Sequence, residues 1–450
     1  MIRIDFFIRL VMVFFSVSVF AGETKPLLNI ENWQTENGMR VYFVAAPTLP
    51  ILDMELLFDA GSSREGSQYG LASLTNTLLS AGGVNDTNDS IAEAFSAIGA
   101  EIGFEVRKDL AAIQLRTLSA ATEQEKALAL LAKILTPAFR GSDLAREKVK
   151  QIKAIELKQD YPDKVAQDLF FASLYGDHPY GHPSIGSLDT VKAITEKDLR
   201  QFFDTFYVAK NASLVMVGAL DTQAAKKIAE TLSKRLNSGV KPAALPTPTD
   251  KQDTFMQKAM NSQQSQIMYG TLGASRLDAT WPALFVGNEV LGGGTFDSRL
   301  FVEIREKHGL AYGANSYFIP MQSTGPWLAS LQTRTEKQSE ALSRLKNKVN
   351  EFIQQGPTEA EVIAAKQNII SGFPLSFRSN GSILDSVSII AFYNLPISYY
   401  DDFLKAVSST TVKDIHSAFQ NQFSNHGFLT VIVGQEKIQD VKNKTKNTSK

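Results

Sequence analysis

Two hydrophobic periods run along the chain. The stretches Met39–Ala45, Ile51–Phe58 and Ala111–Thr117 carry the apolar, β-branched pattern of strands. Glu123–Leu135 and Asp143–Lys158 show the wider spacing of helices. Between them, Tyr69–Ser80 predicts a short amphipathic helix with Leu71, Leu74 and Leu78 on its buried side. Ser73, Asn76 and Thr77 share another face of it, at i, i+3 and i+4. Later, Gln266–Tyr269 reads as a strand, and a helix starts at Trp281 with Pro282 in its first turn.

The pattern occurs twice. Thr195-Glu-Lys-Asp198 opens a run through Phe203 and Tyr207 to Leu214-Val-Met-Val-Gly218. Thr411-Val-Lys-Asp414 opens a run through Phe419 and Phe423 to Thr430-Val-Ile-Val-Gly434, in ungapped register with the first. Each copy predicts a threonine-capped helix and then a strand ending in glycine. A duplicated α+β unit follows, since strands and helices alternate without strict βαβ order. Asn237–Thr249 carries three prolines and reads as an extended linker. The expected organisation is a leader at 1–21, a first domain at 22–236, a linker at 237–254, a second domain at 255–440 and a disordered Lys/Asn/Thr-rich tail at 441–450.

Composition narrows the function. A net charge of −1 over 450 residues gives no global electrostatic case for nucleic acid or anionic membranes. The absence of cysteine excludes disulfides, thiolate metal sites and cysteine nucleophiles. Arg3 and Arg9 precede an apolar run, Leu10–Phe20, and Val19-Phe20-Ala21 fits a signal cleavage site. That run is short for a membrane span. An exported, periplasmic protein without stable membrane insertion is expected, with a retained anchor as the alternative.

Taken one by one, the polar residues suggest little chemistry. Ser73, Asn76 and Thr77 read as an ordinary polar helix face, and a serine nucleophile there lacks a nearby histidine base. Gly292, Gly293 and Gly294 permit close backbone approach, but without a following Lys-Ser/Thr pair they are no phosphate cradle. His178 and His182 flank Pro179 and Gly181, so they belong to a structural loop, not to one helix face. His308 stands at a helix end before Gly309, and His416 and His426 are scattered. Lys148, Lys150 and Lys153 read as a solvated helix face. By spacing alone, Arg305 and Tyr312 are a surface cation and a packed tyrosine.

Three blocks change this picture together. Ala60-Gly-Ser-Ser-Arg-Glu65 leading to Gly70-Leu-Ala72, the run Leu174–Gly186, and above all Leu291–Tyr312 resemble the insulinase/pitrilysin metallopeptidase family, specifically its two-subunit processing-peptidase branch. The likeness extends over nearly the whole mature chain. It implies two homologous α/β-sandwich domains of the processing-peptidase-like metallohydrolase fold, joined by the proline-rich linker. It also implies where the inverted zinc motif H-x-x-E-H would lie, and there this sequence has Ser73, Asn76 and Thr77. Lys153 and Ala154 stand at the pair expected to hold the third ligand. Glu156 remains nearby, and one carboxylate does not hold zinc. No zinc is therefore expected on this chain. The resemblance gives Arg305 and Tyr312 a role in holding the substrate carbonyl and its oxyanion, and gives Gly292–Gly294 a role in guiding the peptide. It implies a zinc-bearing homologous partner subunit and a peptide or unfolded polypeptide substrate. A catalytically silent scaffold or peptide-binding module of the same fold is the alternative. A zinc enzyme with a rearranged site is a third, weaker reading.

Overall fold

The computed structural model describes residues 26–250, 252–293, 296–424 and 426–435. The leader at 1–21, Gly294 and the tail at 441–450 lie outside the described residues. The first half builds a six-stranded sheet from β1 (Glu31–Gln34), β2 (Arg40–Ala45), β3 (Ile51–Phe58), β4 (Glu101–Val106), β5 (Ala111–Leu118) and β6 (Ala212–Gly218), ordered β1-β2-β6-β3-β5-β4. The second half builds a five-stranded sheet from β7 (Thr254–Ala259), β8 (Gln264–Leu272), β9 (Ala311–Phe318), β10 (Pro326–Arg334) and β11 (Leu429–Gly434), ordered β7-β11-β8-β10-β9.

The two orders are the same once β1 is set aside. In each sheet the last strand pairs parallel to the first of the common set, β6 with β2 and β11 with β7, and the remaining pairs are antiparallel. The duplicated glycines take equivalent positions: Gly218 lies opposite Ala45, and Gly434 opposite Ala259. The helices that matter for the site are α1 (Leu71–Leu78), α2 (Ala121–Ile134), α3 (Gly141–Lys158), α4 (Pro162–Tyr175), α5 (Glu196–Phe206), α6 (Trp281–Leu291), α7 (Asn380–Tyr393) and α8 (Val412–Phe423). Thr195 caps α5 and Thr411 caps α8, each in a reciprocal capping box with Asp198 or Asp414. No helix among the described residues is long and apolar enough to cross a membrane.

Alternation along the strands explains the layers. On β2 and β6, Val41, Phe43, Leu214 and Met216 join the core beneath α1, α2 and α5. Tyr42, Val44, Val215 and Val217 point to the other face, where Leu384, Val387, Ile390 and Ala391 of α7 cover them. The second sheet is treated the same way in reverse. Ile267, Ala329 and Ile432 pack under α6 and α8, while Met268, Leu328, Val431 and Val433 pack against Val165, Ala166, Phe170 and Leu174 of α4. Each half thus sends one helix to cover the back of the other half's sheet.

Among its described residues the linker has no regular structure until β7 begins at Thr254, the last residue assigned to it from sequence. It is tied down nonetheless: Ala209 N donates to Asn237 O (2.8 Å), Lys210 N to Ser238 O (3.0 Å) and Arg64 Nη1 to Ala243 O (2.8 Å).

The crossed helices make a direct prediction. Ile390→Ala and Phe170→Ala each remove a fully buried side chain from a surface shared by both halves. Each should cost about 2–5 kcal/mol and shift one urea transition of the whole chain. Two separate transitions, only one of them moved, would contradict the shared core.

Candidate functional site

Helix α1 carries the three motif positions, and its start is tightly built. Gly70 adopts φ +96, and a Cβ there would meet Gln151 Nε2 and Ile185 O, each at 2.8 Å. The free amides at the helix start are taken by Glu65, which accepts from Gly70 N and Ala72 N at 2.8 Å each. Gln151 of α3 donates to Gly70 O (3.2 Å) and Ile185 O (2.9 Å), fastening α3 and the 174–186 block to the same point.

The polar face read from the sequence is not uniformly solvated. Thr77 is exposed and Ser73 half-buried, but Asn76 is 1% exposed. Its Nδ2 donates to Glu105 O (3.0 Å) and Ala112 O (3.2 Å), which belong to directly opposed residues of β4 and β5. Its Oδ1 accepts from the buried Tyr207 hydroxyl (3.0 Å). Both N–H donors of the amide pin the β4–β5 hairpin to α1, and its oxygen ties Tyr207 to the same point. Asn288 of α6 does the matching task in the second half. Its Nδ2 donates to Ser316 O on β9 (2.9 Å), and its Oδ1 accepts from Ser316 Oγ (2.8 Å) and from Trp327 Nε1 on β10 (2.9 Å).

This donor set does not fit zinc. A hydroxyl, a fully engaged amide and a second hydroxyl replace two imidazoles and a carboxylate. On α3, Lys153, Ala154 and Glu156 are exposed. No group of three or more metal-ligating side chains occurs among the described residues. His178 and His182 have separate partners: His178 Nε2 lies 2.8 Å from Pro246 O, and His182 stacks on Tyr69 at 4.0 Å.

Tyr312, on edge strand β9, is 88% exposed, and Arg305 is exposed with its guanidinium 4.8 Å above the Phe301 ring. Gly292 and Gly293 are glycines for packing reasons. A Cβ on Gly292 would meet Ser316 Oγ at 2.7 Å, and one on Gly293 would meet Glu289 Cα at 2.7 Å. Gly292 O accepts from Ser316 N (2.8 Å), so the run is laced to β9.

A cavity of about 760 Å³ opens between the halves, and neither the motif positions Ser73, Asn76 and Thr77 nor Arg305, Tyr312, Gly292 and Gly293 line it. Its wall carries Lys108, Asp109 and His182 from the first half, Met321 from the second, and Tyr393 from α7. Asp109 accepts from the Tyr180 hydroxyl and from Gln322 N (2.8 Å), joining the halves. Burial pushes its carboxyl up to about 6. Beside it, Lys108 donates to His182 O. Burial lowers Lys108 to about 8 against the pull of Glu65, and burial together with the Lys108 charge lowers His182 to about 4. Burial likewise raises Glu65 to about 8, outweighing its two amide bonds. Sequence reading missed this group, because Lys108-Asp109 looks like any polar hairpin turn between two strands.

Two sheets of one strand order, each backed by a helix from the other half, define a duplicated two-domain α/β fold. Residues 40–187 match the family model described as Insulinase (Peptidase family M16), and residues 193–369 match the Peptidase M16 inactive domain. The crystal structure of a peptidase M16 inactive domain from Pseudomonas fluorescens is 35% identical, with a TM-score of 0.88 over 92% of this chain and 99% of that one. A protease from Helicobacter pylori, 20% identical, shares the fold with a TM-score of 0.80 over 90% of this chain and 99% of that one. An uncharacterized zinc protease of Rickettsia felis is 28% identical over 340 residues, 75% of this chain and 81% of that protein. The chain belongs to the M16 (insulinase) peptidase family.

Two measurements check the local chemistry. Asn76→Ala should destabilise the chain by about 1–3 kcal/mol, by stranding two carbonyls and a hydroxyl. Thr77→Ala should stay within about 0.5 kcal/mol; urea midpoints compare them. Asp109, raised from 3.8 to about 6 on folding, binds its proton more tightly in the folded state. Its stabilising contribution is full below pH 3.8 and is lost as pH rises through about 6. Asp109→Asn should therefore flatten the fall of stability across that window.

Proposed function

We propose that this chain is the non-zinc subunit of a heteromeric M16 peptidase. It pairs with a zinc-bearing homologous subunit and lends that partner's site a substrate-binding wall. The observation that carries this reading is Asn76, whose amide nitrogen holds the β4–β5 hairpin and whose amide oxygen holds the Tyr207 hydroxyl, where a general base would be needed. A chain so built has no group at that position to activate water. Arg305 and Tyr312 are exposed on the second half, free to reach outward to a bound peptide. A guanidinium and a phenol aimed at a carbonyl oxygen stabilise the charge that develops there on attack. Gly292 is bonded to the same strand, β9, and the glycine run it opens would allow the peptide backbone close approach. The apolar leader, with Arg3 and Arg9 ahead of it, supports export to the periplasm.

One observation favours a second reading, a silent scaffold of the same fold. Gly292 and Gly293 have packing duties of their own, so the run needs no substrate to explain it.

Co-expression with a zinc-bearing M16 homologue from the same genome, followed by peptide cleavage by each chain and by both, separates these readings. The expected result is no cleavage by this chain alone and cleavage by the pair. Arg305→Ala or Tyr312→Phe should lower kcat about 10²-fold without dissolving the assembly. Unchanged kcat in both variants supports the scaffold. Efficient metal-free cleavage by this chain alone overturns both.

A further inference from the structure

A second cleft, of about 310 Å³, lies away from Arg305, Tyr312 and the glycine run. It forms where the start of β2, the Ala209–Asn211 turn, the proline-rich linker and the segment after β8 meet. Five cationic side chains line it: Arg40, Arg64, Lys210, Lys241 and Arg276. Asp59 is the one carboxylate on the wall among the described residues, and it is already used. Arg64 Nε and Nη2 hold its two oxygens at 2.6 Å each.

The other four cations line the cleft without a carboxylate partner among the described residues, and Arg276 also lines the large cavity. Arg40 Nη1 has a neutral partner, Asn394 Oδ1 at 3.0 Å. Burial holds its guanidinium below the usual arginine range. Arg276 lies 5.1 Å over the Tyr393 ring, and its Nε is buried with no hydrogen-bond partner among the described residues. A buried donor left unpaired is destabilising, and more so when it carries charge. Gathering like charges around a partly enclosed space adds to that cost unless an anion enters. With a net charge of only −1 over the whole chain, this is a local arrangement and not a basic surface.

We propose that this cleft binds a small organic polyanion, a ligand carrying phosphate or clustered carboxylate groups, with Arg276 and Arg40 as its principal partners. The space matches the small end of ligand cavities, about 300–1,000 Å³. Arg276 supplies a planar fork suited to two anionic oxygens. Lys210 and Lys241 are exposed at the rim and add attraction from solvent. The walls come from both halves and the linker, so the bound ligand ties all three together and stabilises the chain by mass action.

Titration calorimetry of the purified protein at low salt tests this, with pyrophosphate and citrate as probes and acetate as the control. The expected result is one site per chain for at least one probe, bound more tightly than acetate and with a raised Tm. Binding by pyrophosphate alone assigns phosphate chemistry, and binding by citrate alone assigns carboxylates. Arg276→Gln should weaken the productive probe about tenfold or more. Lys241→Ala, on the exposed linker where folding is not at stake, should weaken it about threefold and reduce its salt dependence. The proposal is overturned if neither probe binds better than acetate, or if Lys241→Ala and Arg276→Gln both leave affinity unchanged. Should Arg276→Gln fail to fold, an unchanged affinity in Lys241→Ala is sufficient to overturn it.

Discussion

The exchange of α4 and α7 is the constraint on which the rest depends. Each sheet buries one face under helices of its own half and the other under a single helix from its neighbour. Neither half can close its core alone, because removing α7 would expose Tyr42, Val44, Val215 and Val217, and removing α4 would expose Met268, Leu328, Val431 and Val433. Everything lying between the halves inherits this geometry. The Asp109 junction, the large cavity and the cationic cleft all sit where the two meet.

Within that frame, α1 serves a structural task. Glu65, Gln151 and Gly70 still fix its start with great economy of space. Asn76 then spends its side chain on the β4–β5 hairpin, as Asn288 does on the β9–β10 hairpin. An amide in this position satisfies two carbonyls that a carboxylate could only repel. The first half has thus converged on the device that the second half uses to hold its own edge strand.

Much of the fold was legible in the chain. The strands at Ile51–Phe58 and Ala111–Thr117, Pro282 in the first turn of α6, and the twin threonine caps follow from local periodicity and capping chemistry. The duplication could be read from Thr195 and Thr411, and it reappears in the shared strand order. Family membership was legible because three blocks kept their spacing while three motif positions changed. The burial of Asn76 was not legible, since an i, i+3, i+4 polar set looks the same whether its neighbour is water or a hairpin. Nor were Lys108 and Asp109, whose turn becomes an interior only when the second half covers it.

The sequence by itself determined which segments form strands and helices, that the unit occurs twice, and that the motif helix lacks zinc-ligating side chains. Those are properties of residue type and short-range spacing. Only the tertiary structure decided that α4 and α7 trade sheets, that Asn76 faces inward while Thr77 does not, and that Arg40, Lys210, Lys241 and Arg276 converge on one cleft. Residues hundreds of positions apart meet there because buried apolar surface, and not sequence proximity, sets how the two halves pack.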